Sequence, residues 1–93
     1  MLFKISYSIK EELIHVTQTQ FAGGDEKWYG MKLIGRWHEP SSTGFMVVET
    51  DDYQAVMKYC QQWNRTCHLE VTPVGTDADA AATLSETLTA QTQ

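Results

Sequence analysis

The chain has 93 residues, a formal charge of −5 and a pI near 5.0, with 42% hydrophobic and 20% charged residues. That is one soluble globular domain with a single core and a stability of about 5–14 kcal/mol. Seven scattered basic residues do not make the clustered cationic face that nucleic acid or an anionic membrane needs, and no apolar run reaches the ~20 residues of a membrane span.

Leu2 to Ile9 alternates, Phe3, Ile5, Tyr7 and Ile9 against Lys4, Ser6 and Ser8, and predicts a half-buried strand. The N-terminus shows neither a basic leader nor a long apolar core, so a cytoplasmic protein is expected. From Lys10 the period turns helical through Leu13, Val16, Gln20 and Phe21, and Gly23-Gly24 supplies a stop. Asp25 to Gly30 is a loop carrying Trp28 and Tyr29, exposed aromatics that often line an opening or an interface.

Met31 to Glu39 predicts a second strand and Pro40-Ser41-Ser42-Thr43-Gly44 a turn. Phe45 to Thr50 forms a third strand, in hairpin with the second. Asp51 or Thr50 caps a helix whose stripe is Tyr53, Val56, Met57, Cys60 and Trp63. Thr66 to Val74 is the fourth strand, which lies at an edge or ends at Pro73, a residue without an amide hydrogen. In the Ala- and Thr-rich remainder Asp77 caps a weak helix through Ala81, Leu84 and Leu88, and the last few residues fray. Cys60 and Cys67 are expected as free, inward-facing thiols.

The order β-α-β-β-α-β plus a C-terminal helix predicts an α+β, ferredoxin-like sandwich. Right-handed crossovers put both helices on one face of a four-stranded antiparallel sheet and leave the other bare. Residues 1–76 make this domain, and 77–93 the C-terminal helix and tail.

Within the second strand, Gly35-Arg36-Trp37-His38 is the most informative run. Alternation sends Leu33, Gly35 and Trp37 one way and Lys32, Ile34, Arg36 and His38 the other. With Leu33 and Trp37 assigned to the core, Arg36 and His38 fall on the bare face beside Phe45, Val47, Glu49, His68 and Glu70. A face mixing charges with an apolar centre suits packing against its twin around a partly wet cavity, hence a two-fold homodimer.

Met1-Leu2-Phe3…Tyr7, Lys32-Leu33-Ile34-Gly35-Arg36-Trp37-His38, Gly44-Phe45-Met46-Val47-Val48-Glu49-Thr50-Asp51-Asp52 and Glu70-Val71-Thr72-Pro73-Val74 together carry a resemblance. The chain resembles the uncharacterised bacterial domain-of-unknown-function family 3303, within the dimeric α/β-barrel superfamily. The resemblance covers the first three-quarters of the chain. It implies two ferredoxin-like subunits with their sheets face to face, and no particular reaction, cofactor or catalytic motif.

Two readings of the charged cluster follow. In one, Arg36, His38, Glu49 and Glu70 hold a small anionic or enolisable compound. Arg36 neutralises developing charge, His38 moves a proton as a residue type suited to work near neutral pH, and Tyr7 and Trp37 shape the pocket. In the other, the same charges are intersubunit ion pairs of a non-catalytic dimerisation or regulatory module. His38 and His68 with a glutamate supply the right ligand types for a metal, but no close-spaced ligand motif supports one, and no cofactor is expected.

Overall fold

The computed structural model describes residues 1–91; of the tail expected to fray, residues 92 and 93 lie outside it. Its elements are β1 (Leu2–Ile9), a 3-10 turn (Glu11–Leu13), α1 (Ile14–Ala22), β2 (Lys32–Glu39), β3 (Thr43–Glu49), α2 (Tyr53–Trp63), β4 (Cys67–Val74) and α3 (Asp77–Gln91). The four strands form one antiparallel sheet in the order β2-β3-β1-β4, the ferredoxin-like topology. Pro73 has no amide hydrogen, and β4 is accordingly an edge strand.

Alternation works as expected on three strands. Phe3 and Ile5 of β1, Met46 and Val48 of β3, and Cys67 of β4 are buried, with Leu69 and Val71 packed against them. From α2 the core receives Ala55, Val56, Tyr59 and Trp63. The predicted stripe is partly out of phase, since Tyr53 and Met57 are exposed. The buried face runs through Ala55, Val56, Tyr59 and Trp63 instead. The cap differs too: Asp52, not Asp51 or Thr50, accepts the Gln54 amide through its carboxylate at 3.0 Å. Thr50 instead accepts the Asp52 amide.

The second strand departs from expectation. Leu33 pairs with Val48 and Gly35 with Val47, so the register shifts between Leu33 and Gly35. One extra residue there exchanges the two faces for everything that follows. Arg36 lies opposite Met46 and His38 opposite Gly44, on the helix side of the sheet. Trp37 lies opposite Phe45 on the bare side, 52% exposed and stacked on the Phe45 ring at 5.2 Å. The expectation that Arg36 and His38 occupy the bare face and Trp37 the core is therefore overturned. The alternation within Gly35-Arg36-Trp37-His38 holds, but the extra residue immediately before Gly35 inverts its faces. Leu33, assigned to the core, is itself exposed.

Two glycines make this strand possible. A side chain on Gly35 would meet the Trp37 indole at 2.5 Å, so Gly35 is where Trp37 folds down. A side chain on Gly44 would meet the Trp37 carbonyl and the Tyr7 hydroxyl, both at 2.5 Å. Gly44, expected in the turn, belongs to β3 and clears space between Tyr7 and His38. The left-handed position of the turn falls to Ser42, with φ 65°.

Helix α1 barely touches the sheet. Thr17 is its one buried residue, and Phe21 is 45% exposed. It ends at the predicted glycines, with Gly24 at φ 75°. Helix α3 is exposed from Asp77 through Ala90 and projects from the body. The radius of gyration, 16.7 Å, exceeds the ~12 Å of a compact chain this long, and the longest dimension is 58 Å.

Candidate functional site

Because α1 stands off the sheet, a cleft of about 370 Å³ opens between them. Its apolar wall comes from the helix-facing positions of three strands: Ile9, Met46, Cys67 and Leu69. Tyr7 and His38 sit on this face because each lies across from Gly44, Tyr7 on β1 and His38 on β2. With no side chain on Gly44, the Tyr7 hydroxyl reaches His38 Nδ1 at 2.5 Å. The Phe21 ring stands edge-on to the His38 imidazole at 5.5 Å. Burial raises the Tyr7 phenol above its ordinary value of 10.0, partly offset by the Arg36 charge. Tyr7 is therefore a neutral hydroxyl at working pH, able to donate or accept.

Deeper in, Arg36 is already occupied. Its Nη1 donates to both oxygens of Glu26, at 2.8 and 2.9 Å. Its guanidinium lies over the Phe21 ring at 4.9 Å and the Trp28 ring at 5.2 Å. Glu26 also accepts from the Tyr59 hydroxyl at 2.5 Å and the Trp63 indole at 3.1 Å. Only 16% of the Arg36 side chain and 11% of the Glu26 side chain are exposed. Burial first, and then the Glu26 hydrogen bond and charge, drive the Tyr59 phenol far above its ordinary value. The cluster fastens the loop between α1 and β2 onto the sheet and α2. Gln62 reinforces it, accepting the Lys27 amide and donating to the Lys27 carbonyl.

The predicted functional residues therefore divide between two surfaces. Tyr7, Arg36 and His38 meet in the cleft. Trp37, Glu49, His68 and Glu70 lie on the opposite face: Glu49 pairs with Leu2 and Lys32, Glu70 with Ser6 and His68 with Ser8. His38 and His68 cannot converge on one ion, and among the described residues no group of three His, Cys, Asp or Glu could hold a metal. The carboxylate paired with Arg36 is Glu26, and neither Glu49 nor Glu70.

Three participants were missed. Tyr59 lies one turn from both Val56 and Trp63, so helical spacing contained its signal. Phe21 was read only as part of a core stripe. Glu26, a polar residue in a loop, carried none, because its role comes from contacts 10 to 37 residues away. Both cysteines are free, Cys67 buried and Cys60 half-buried, and burial raises both thiols above their ordinary value.

Among protein families, one described as a domain of unknown function (DUF3303) matches residues 1–88. The match runs well into α3, beyond the three-quarters of the chain that carried the resemblance. No curated protein and no solved structure matches the chain.

Proposed function

The chain belongs to the family described as a domain of unknown function (DUF3303), and we propose that it binds a small enolisable molecule in the cleft between α1 and the sheet. The observation that carries this reading is the Tyr7–His38 pair beside the apolar wall of Ile9, Met46, Cys67 and Leu69. Convergent polar groups on a concave apolar surface are the usual make-up of a ligand site. His38 is the general base, and Tyr7 sets which ring nitrogen carries the proton. Arg36 acts as a structural cation, since Glu26 holds it.

We further propose that the protein is a cytoplasmic homodimer of the dimeric α/β-barrel kind, joined through the bare sheet face. Trp37 is exposed there, stacked on Phe45, with Lys4 Nζ over the Phe45 ring at 5.1 Å. Exposed aromatics of this kind mark interaction surfaces. The two free thiols agree with a reducing compartment. No helix among the described residues is long and apolar enough to cross a membrane.

Native mass spectrometry of freshly purified protein tests both statements together. Two subunits with a retained small molecule, lost in Leu69→Trp, is the expected result. Two subunits with an empty cleft favour the second reading, a dimerisation or regulatory module without catalysis, which rests on the Trp37–Phe45 face alone. A monomer rules out the barrel.

A further inference from the structure

The cleft offers more than a base. Resting on the reading of the cleft as a ligand site, we propose that Tyr7 and His38 act together as a bifunctional pair that catalyses a 1,3-proton shift, keto to enol, in a small uncharged carbonyl compound.

The geometry supplies both ends of such a shift. The Tyr7 hydroxyl and His38 Nδ1 are 2.5 Å apart, and both rings line the cleft. With the Nδ1 tautomer, His38 Nε2 is a free base while Nδ1 donates to the Tyr7 oxygen, leaving the Tyr7 proton for the substrate. Nε2 takes a proton from the carbon next to the carbonyl. The C–H pair becomes the C=C bond, and the C=O π pair moves to oxygen. That oxygen takes the Tyr7 hydroxyl proton, and the Tyr7 oxygen takes the Nδ1 proton. Two bonds to hydrogen break on the enzyme and one on carbon; one forms on the substrate oxygen, one on Tyr7 and one on Nε2. The pair ends neutral, as the other imidazole tautomer. His38 is exposed, so water returns the proton from Nε2 to Nδ1. No redox partner or cofactor enters the balance.

The class of substrate follows from the lining. Ile9, Met46 and Leu69 favour an apolar body. Glu26 and Glu39 also line the cleft, and the Arg36 charge is spent on Glu26. An anionic substrate would meet carboxylates without a free cation, so the arrangement selects against it. The glycine at position 44 belongs to the same device, because any side chain there would occupy the Tyr7 position.

Benzoylacetone is a suitable probe: neutral, aromatic at one end and enolisable at the other. Deuterium exchange at its central carbon, followed by proton NMR with the full chain, should run faster than with free imidazole at equal concentration. Tyr7→Phe and His38→Gln should each reduce the acceleration by about 100-fold or more, while melting as the wild type does. An unchanged rate in Tyr7→Phe overturns the pair, as does a wild-type rate equal to that of imidazole. Backbone amide shifts on titration with the probe separate the two levels. Saturable shifts at Ile9, Met46 and Leu69 without acceleration sink the proton shift and leave the cleft as a binding site. No shifts there remove the cleft reading itself. The His38 nitrogen-15 shifts of the wild type provide a measurement that needs no variant: they must move when the probe binds, and unmoved shifts in the saturated protein count against the pair.

Discussion

Gly44 shows how one missing side chain positions a functional group. Its absent Cβ is the space through which Tyr7 reaches His38. Gly44→Ala should therefore cost about 1–3 kcal/mol through overpacking against backbone and ring, read as a lowered urea midpoint, and should abolish the effect of Tyr7 on the His38 NMR shifts. Tyr59 gives a pH signature. Its folded-state pKa lies above the unfolded value of 10.0, so its contribution is complete below pH 10 and is lost as pH rises beyond it. Stability should fall above pH 10 by up to about 1.4 kcal/mol per pH unit for this one group. Tyr59→Phe should cost about 1–2 kcal/mol at neutral pH and flatten that alkaline fall; urea melts at pH 7 and pH 11 would show both. The buried thiols are pushed up as well, so maleimide labelling at pH 7 should be slow, with Cys60 modified before Cys67.

The loop before β2 is held by chemistry and not by regular structure. Glu26 collects hydrogen bonds from β2 and from α2, and the Gln62–Lys27 pair closes the other side. Removing the Glu26 charge leaves Arg36 mostly buried and unpaired, a loss of about 3 kcal/mol. Lys27 is already exposed, so Glu26→Gln should act by loosening the backbone around it, and trypsin should cut there faster than in the wild type, before global unfolding. The bulge in β2 matters as much. It decides which side of the sheet carries Arg36 and His38, and it sets Trp37 on the other. Helix α1, with one buried residue, leaves open the cleft that a fully docked helix would fill.

The molecule as a whole presents two unlike faces, a cleft on the helix side and an aromatic patch on the bare side. Under the dimer reading, Trp37→Glu, on the bare face opposite Phe45, should convert a sedimenting dimer to monomer and leave the cleft intact; an unchanged sedimentation coefficient would count against that interface. Helix α3 adds length more than packing. Every residue from Asp77 through Ala90 is exposed, so a chain ending at Thr76 should keep its urea midpoint close to that of the full chain.

Much of this was legible in the residues. Alternation in β1, β3 and β4 identified the core, Gly23-Gly24 ended α1, Pro73 marked an edge or an end, and the element order implied the sheet topology. These follow from local geometry: a two-residue period, a left-handed glycine and a missing amide hydrogen act within a few positions of themselves. Gly35-Arg36-Trp37-His38 was also rightly singled out as the place where polar groups gather. Tertiary structure alone decided which face they occupy, because a single extra residue before Gly35 inverts the pattern without changing it. It alone brought Glu26 to Arg36 and Tyr7 to His38, since those partners come from separate elements and meet only when the sheet has closed.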